Sequence, residues 1–479
     1  MSSDYHRQTA YSRDSLGGHA LDWSIQPEPF KSYKNHQPRP LASPRPPQAS
    51  IFDLALAWPP PAAQPPQPLD AAGLSATLLM SGGITARAWD APQAPGLRAC
   101  ASAGALFPAE LYVAACGLEG LEDGLYHFAP AGPGLTPLWG GAWAEALGRL
   151  LGRQPSALTF FITAMYWRSL WKYRTRAYRY CLLDAGHLLA NLELACAAWG
   201  YAPQPRLDFP DRSLGVFLGL ASDEESALAV VQAGPEPAQP GPPSAGLPPL
   251  DRQALPLSAR VGRDTQVLAA HAQGDLEAPT GSRLWPTVRI DSQPQPLAPA
   301  PSGGPSLLAT VRSRRSRRNF IPGGLDQDSL ARLLIATLPG EAPCQATLLL
   351  GPDGALPAGT YLYLPVDRSL ALLKAADQRR GLAQACLGQL WVGQASLSLV
   401  LWADLELLEE RGGPRTYRHA MIAAGRAGQR LYLAATALGL GCCGVGAFYD
   451  QEVAAVAGLP AQAQPLYVLA CGPVKGGLA

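Results

Sequence analysis

The sequence predicts one domain type used twice, as two related halves that pair within a single chain like the two subunits of a dimer. Two observations carry this expectation. Proline-rich stretches interrupt the chain as QPRPLASPRPPQ and WPPPAAQPPQP between about 37 and 68, and again as GPEPAQPGPPSAGLPPL at 234–250. Proline removes a backbone donor and blocks a continuing helix or central strand, so the second stretch, extended through QPQPLAPAPSGGPS, reads as a linker over 233–305. It leaves domains at 1–232 and 306–479. The other observation is internal similarity. RAYRYCLLDAGHLLANLELACAAWGYA from Arg176 aligns without gaps on RTYRHAMIAAGRAGQRLYLAATALGLG from Arg415, and GLYHFAP at 124–130 matches GTYLYLP at 359–365. The offsets, 239 and 235 residues, agree closely enough to indicate duplication. A duplicated domain in one chain suggests a pseudo-twofold pair made covalent.

Each element follows from its local pattern. In both Arg-x-Tyr-Arg segments apolar residues recur at helical spacing, which predicts a long buried helix closed by Gly200 in one copy and by Gly439 with Gly441 in the other. ELYVAA, from Glu110, reads as a strand behind the small, flexible turn Ser102-Ala103-Gly104-Ala105. The chain's 479 residues exceed one compact domain. Charged residues make up only 16%, against roughly 25% in an ordinary globular chain, so apolar material suffices for two cores. A formal charge of +1 removes whole-molecule attraction to nucleic acid or an anionic membrane. Nine scattered cysteines without a Cys-x-x-Cys spacing suit a reducing cytoplasm and no structural metal. The N-terminus lacks the apolar core of a signal peptide, and no apolar run is long enough to span a membrane. A cytoplasmic protein is the expectation.

Three segments carry candidate chemistry. In VRSRRSRRNF five arginines, Arg312, Arg314, Arg315, Arg317 and Arg318, surround Ser316. Guanidinium forks bind phosphate oxygens in pairs, which points to a phosphorylated ligand, although a solvated basic patch has the same composition. CCGVGAFYDQEV reads as a glycine turn in which Gly444 and Gly446 bracket Val445 and let backbone amides approach a flat ligand; a plain helix end is the alternative. The turn at Ser102 to Ala105 would let a ring lie on backbone, or simply precede a buried strand. Vicinal Cys442 and Cys443 read as buried structural thiols.

Together these segments resemble the nitroreductase-like FMN oxidoreductase superfamily, and the first half resembles its SagB-type (azoline dehydrogenase-like) branch in a tandem arrangement. The first half carries YHRQTAYS, LDWSIQPEPFKSY, LRACASAGALFP (family R-x-x-P-S-A-G-A-L-Y-P), GLYHFAP, WKYRTRAYRY and LLDAGHLLANL. The second carries RRSRRNF (family R-R-S-x-R-x-F) and LGLGCCGVGAF (family L-G-L-G-x-x-x-x-G-G-F). The resemblance implies an α+β fold of tandem nitroreductase-like domains forming an intramolecular pseudo-dimer, with FMN at the interface. It implies flavin phosphate and ribityl contacts at Arg314, Arg315, Ser316 and Arg318, ring contacts at Val445, Gly446 and Ala447, and a covering loop from the partner copy at Ser102, Ala103, Gly104 and Leu106. It also implies proton handling by Lys172 and Tyr173, for which an amphipathic helix with a solvated basic face is the structural alternative.

Departures from the family pattern are complementary. Ala101 replaces the family proline, and the first half has no R-R-S-x-R and reads APQPRLDFPDRS after its long helix. The second half has the arginines but only APCQATLLL in place of the covering loop, and no Lys-Tyr before RTYRH. One complete site is therefore expected per chain. The implied function is an FMN-dependent oxidoreductase acting on a C–N-containing, azoline- or peptide-like substrate, with NAD(P)H or another electron donor or acceptor as partner. The alternative is a non-catalytic flavin-binding or scaffold protein in a peptide-modification pathway. Neither nucleic acid nor membrane is an expected partner, and association beyond the pseudo-dimer stays open.

Overall fold

The computed structural model describes the chain except residues 1, 19, 35, 60–65, 88–95, 142, 235–253, 281–284, 286–292 and 477–479. Its contacts divide the chain into two compact units. The first comprises 20–48 and 59–282, the second 1–19, 49–58 and 283–479.

This division differs from one that follows chain order. The segment YHRQTAYS, read with the first half, belongs to the second unit. There Tyr11 bridges Tyr449, its amide meets Asp450 Oδ2 at 2.9 Å, and the Asp450 amide donates to the Tyr11 carbonyl at 3.1 Å. Much of the expected linker lies outside the described residues, but its part from 254 to 280 packs with the first unit, through a bridge from Ala254 to Tyr33 and a helix over Thr265–Ala272.

Each unit is built on a seven-stranded sheet. In the first unit the strands are β1 (Arg39–Pro40), β2 (Ala109–Ala115), β3 (Gly124–Ala129), β4 (Gly134–Gly140), β5 (Leu158–Met165), β6 (Gln204–Arg206) and β7 (Glu225–Ala233), in the spatial order β1-β4-β3-β2-β5-β7-β6. In the second they are β8 (Gln295–Pro296), β9 (Gln345–Leu350), β10 (Gly359–Leu364), β11 (Ser369–Lys374), β12 (Leu397–Ala403), β13 (Gly441–Val445) and β14 (Gln464–Gly472). Their order is β8-β11-β10-β9-β12-β14-β13, which is the first order with every label raised by seven. All pairings within both sheets are antiparallel. The matched segments GLYHFAP and GTYLYLP hold the same place, as β3 and β10.

The two long helices form where the alignment expects them, over Ala177–Ala197 and Thr416–Ala437. Every residue of the first is buried and nearly every residue of the second, the condition of a helix with apolar contacts on all sides. Both end through a glycine in the left-handed region, Gly200 at φ 82° and Gly439 at φ 74°, where a side chain would be strained. In the first unit Tyr112, Leu125, Trp139, Trp143, Phe161 and Phe217 form one core cluster. In the second a core cluster gathers Leu349, Leu382, Val400, Val445, Phe448 and Val468. Burying each such side chain contributes about 1.5–3 kcal/mol.

Candidate functional site

In the second unit Ser306 caps a short helix over Leu307–Ser313, its hydroxyl accepting from the Ala309 amide at 3.2 Å. From Arg314 the chain runs alongside β13, with Ser316 bridged to Cys442 and the Arg317 amide 3.0 Å from the Cys442 carbonyl. Arg314 is buried with its guanidinium 5.5 Å from the centre of the Tyr432 ring. Arg318 is exposed, lies over Trp391 and hydrogen-bonds Cys443. Arg315 turns back to the carbonyls of Arg312 and Arg314, at 2.8 and 2.7 Å.

This cluster is electrostatically primed for an anion. Burial pulls the Arg315 pKa below its ordinary value, and the charges of Arg314 and Arg317 pull it further. The buried Nε of Arg317 has no hydrogen-bond partner among the described residues. A phosphate here would relieve like-charge repulsion and supply acceptors, so the donor set fits a phosphorylated cofactor.

The glycine-rich segment beyond the helix is different from the expected turn. Gly441–Val445 is the edge strand β13, paired with β14, and the loop begins at Gly446. The glycines here make room for neighbours. A Cβ on Gly441 would lie 2.3 Å from Val474 Cγ1, and one on Gly444 would lie 1.9 Å from the Tyr467 hydroxyl oxygen. Val445 buries its side chain in the core, leaving only backbone to offer a ligand, while Gly446 and Ala447 are half-buried. One side chain links this strand to the arginine segment: the Tyr432 hydroxyl accepts from the Gly444 amide at 2.7 Å and pairs with Ser316 Oγ at 3.0 Å. Burial, chiefly, raises the Tyr432 pKa well above its ordinary value, so the phenol keeps its proton. Cys442 and Cys443 are buried free thiols.

In the first unit the segment from Ser102 to Phe107 forms a tight turn with Gly104, Ala105 and Phe107 at φ 64°, 55° and 47°. For Ala105 and Phe107 this left-handed backbone costs about 1–2 kcal/mol each. Ser102, Ala103 and Leu106 are half-buried and Gly104 is exposed. Two buried side chains hold the turn. Asp184, from the middle of the long helix, takes a hydrogen bond from Ser102 Oγ and another, at 3.2 Å, from the Ala103 amide. Arg168 donates to the Phe107 carbonyl at 2.8 Å and pairs with Glu110. Although burial opposes its charge, Arg168, His127 and Arg98 hold the Glu110 carboxyl well below the usual carboxylate range.

Lys172 and Tyr173 stand at the end of a helix over Tyr166–Tyr173, both half-buried. Tyr173 packs on Tyr180 with ring centres 4.3 Å apart, and the Lys172 ammonium lies 5.6 Å from the Tyr173 ring. Both reach the turn. A Cβ on Gly104 would be 2.6 Å from the Tyr173 hydroxyl and 3.1 Å from Lys172 Nζ. Thus Arg314, Arg315, Ser316, Arg318 and the start of the 446–449 loop assemble in one unit, and Ser102, Ala103, Gly104, Lys172 and Tyr173 in the other.

Sequence reading missed Tyr432, Asp184, Arg168 and Glu110. Their available signal was a polar residue inside an otherwise apolar helix or strand. A further cluster, Asp211, His271 and Asp275, also went unnoticed, its ligand atoms lying within 4.8 Å of one another. A ring held by the Tyr178 hydroxyl at 3.0 Å and by Asp275 at 3.7 Å accounts for it.

Residues 311–473 match the model of the nitroreductase family. A protein of Methanocaldococcus jannaschii named as a nitroreductase is 33% identical over 114 residues, which are 24% of this chain and 57% of that protein. The chain thus spans little more than half the length of that relative. A crystal structure from Anabaena variabilis, titled as a nitroreductase, is 27% identical with a TM-score of 0.78, and the match covers 99% of each chain. One from Ralstonia eutropha, similarly titled, is 26% identical, covers 41% of this chain and 97% of that one, and has a TM-score of 0.34. The fold is nitroreductase-like.

Proposed function

We propose that the protein is an FMN-dependent oxidoreductase of the SagB-like kind, with one flavin site per chain composed of elements from both tandem units. The arginine cluster supports this reading: the buried guanidinium of Arg314, the neighbouring Arg315 whose pKa is depressed by burial and further by like charge, and the Nε of Arg317 without a partner among the described residues would form a phosphate cradle braced by Tyr432. In this reading Arg314 and Arg318 would hold the phosphate, Ser316 would meet a ribityl hydroxyl, and the backbone at Val445 to Ala447 would offer its amides to the ring. The turn at Ser102 to Leu106 would shield the ring from water.

Bound FMN would supply hydride transfer at its N5. Lys172 and Tyr173 then hold or move the substrate's proton, Nζ and the phenol being the two polar atoms that crowd Gly104. The substrate class that suits this pairing is a C–N compound such as an azoline or a modified peptide. Support for a composite site comes from complementary losses, since only one half has the arginines and only the other has the turn with Lys-Tyr.

The test uses the full chain. Gly104→Trp should abolish flavin retention while far-ultraviolet circular dichroism stays unchanged, and Lys172→Ala should keep the yellow colour but lose turnover of an azoline peptide. Full flavin binding by Gly104→Trp would defeat the composite reading.

A further inference from the structure

The turn from Ser102 to Phe107 contains three left-handed residues in four, two of them not glycine, and such backbone persists only where its surroundings impose it. Asp184 supplies an imposing contact from a rigid place. It projects from the long helix, is 4% exposed, and binds the turn twice, at Ser102 Oγ and the Ala103 amide. Ser102 Oγ in turn accepts from the Phe107 amide at 2.9 Å, so a single carboxylate ties the two ends of the turn together. The second copy supplies an internal comparison. In the gap-free alignment of the long helices Asp184 falls on Ala423, and that copy reads APCQATLLL where the Ser-Ala-Gly-Ala segment would stand. Carboxylate and segment are present together or absent together.

We propose that Asp184 is a positioning residue that clamps the 102–107 turn and, through Gly104, sets where the Tyr173 hydroxyl and Lys172 Nζ stand. The carboxylate that makes the clamp is itself titratable. Burial pushes the Asp184 carboxyl up to about 7, although Ser102 and Ala103 pull it down. The titratable or charged groups around it include Tyr180, Cys181 and His187 one turn away on its own helix, Arg98, Cys100 and Glu110 lining the same cavity, and Lys172 beyond Gly104. The ionised carboxylate accepts both hydrogen bonds, so the clamp tightens as pH rises through 7. Stability runs the other way. A carboxyl raised from its ordinary 3.8 to about 7 contributes stability that is complete below 3.8 and is lost as pH climbs to about 7.

That the turn covers a flavin rests on the proposed function, but the clamp does not, and the experiment is therefore done without flavin. Amide hydrogen exchange of the peptide spanning 101–107 is followed between pH 6 and 8, after correction for intrinsic rates. Asp184→Ala should speed exchange at Ala103 and Phe107 by roughly tenfold or more, and Ser102→Ala, which removes one of the carboxylate's two donors and the acceptor of the Phe107 amide but keeps the carboxylate, should speed it at Phe107. Asp184→Asn, which keeps an acceptor for Ala103, should restore much of the protection and abolish its pH dependence. Protection unchanged in Ser102→Ala and Asp184→Ala would overturn the clamp, as would a pH dependence that survives in Asp184→Asn. Should Asp184→Ala fail to fold, the Ser102→Ala and Asp184→Asn results decide.

Discussion

Removing a single oxygen at Tyr432 tests how the cradle is built. Tyr432→Phe keeps the ring under Arg314 and deletes the hydroxyl that meets Gly444 N at 2.7 Å and Ser316 Oγ at 3.0 Å. The lost neutral hydrogen bonds and the amide left without its acceptor cost about 1–3 kcal/mol. Because Ser316 is exposed and can turn to water, the lower half of that range is expected. Urea unfolding of Tyr432→Phe, Ser316→Ala and the double variant reads both the cost and the coupling, expected at about 0.5 kcal/mol or more for residues in contact. Flavin titration of the same proteins should show roughly tenfold weaker binding for Tyr432→Phe, since about 1.4 kcal/mol is tenfold. Stability within about 0.3 kcal/mol of the parent, with no coupling to Ser316, would show that the phenol does not brace the cradle.

Arg314→Ala should weaken FMN binding by about 2–5 kcal/mol, because that guanidinium is buried, whereas exposed Arg318 should contribute about 0–1 kcal/mol. Equal effects in a flavin titration would contradict this ranking. Glu110 governs the acid side of the first unit. Its folded pKa lies below the ordinary 4.5, so its stabilising contribution is present above 4.5 and lost as pH falls below it. Thermal melts between pH 3 and 6 should show a steeper acid decline for the parent than for Glu110→Gln, and parallel declines would count against the ion pair with Arg168.

The long helices and the shared β3 and β10 segments were readable because each is a local pattern repeated at a fixed distance. The arginine run was equally visible, five charges in a chain poor in charge. Tyr432 and Asp184 were not. In a helix buried all round there is no polar face to depart from, so a tyrosine that braces a cradle looks like core. β13 was read as a turn because Gly-Cys-Cys-Gly-Val has little strand propensity. It is a strand because β14 lies beside it and Tyr467 fills the space above Gly444. The segment 1–19 joins the second unit through contacts such as the pairing of Tyr11 with Tyr449 and of Arg13 with Glu452, long-range choices with no local signature.

We propose one flavin site per chain, drawing on motifs that each half of the sequence holds only in part. It is tested most directly by reconstituting the full chain with excess FMN, removing unbound flavin, and measuring flavin absorbance against protein concentration. A ratio near one FMN per chain, falling toward zero in Arg314→Ala and in Gly104→Trp alike, is the predicted result. A ratio near two, no retained flavin, or a ratio indifferent to Gly104→Trp would contradict it.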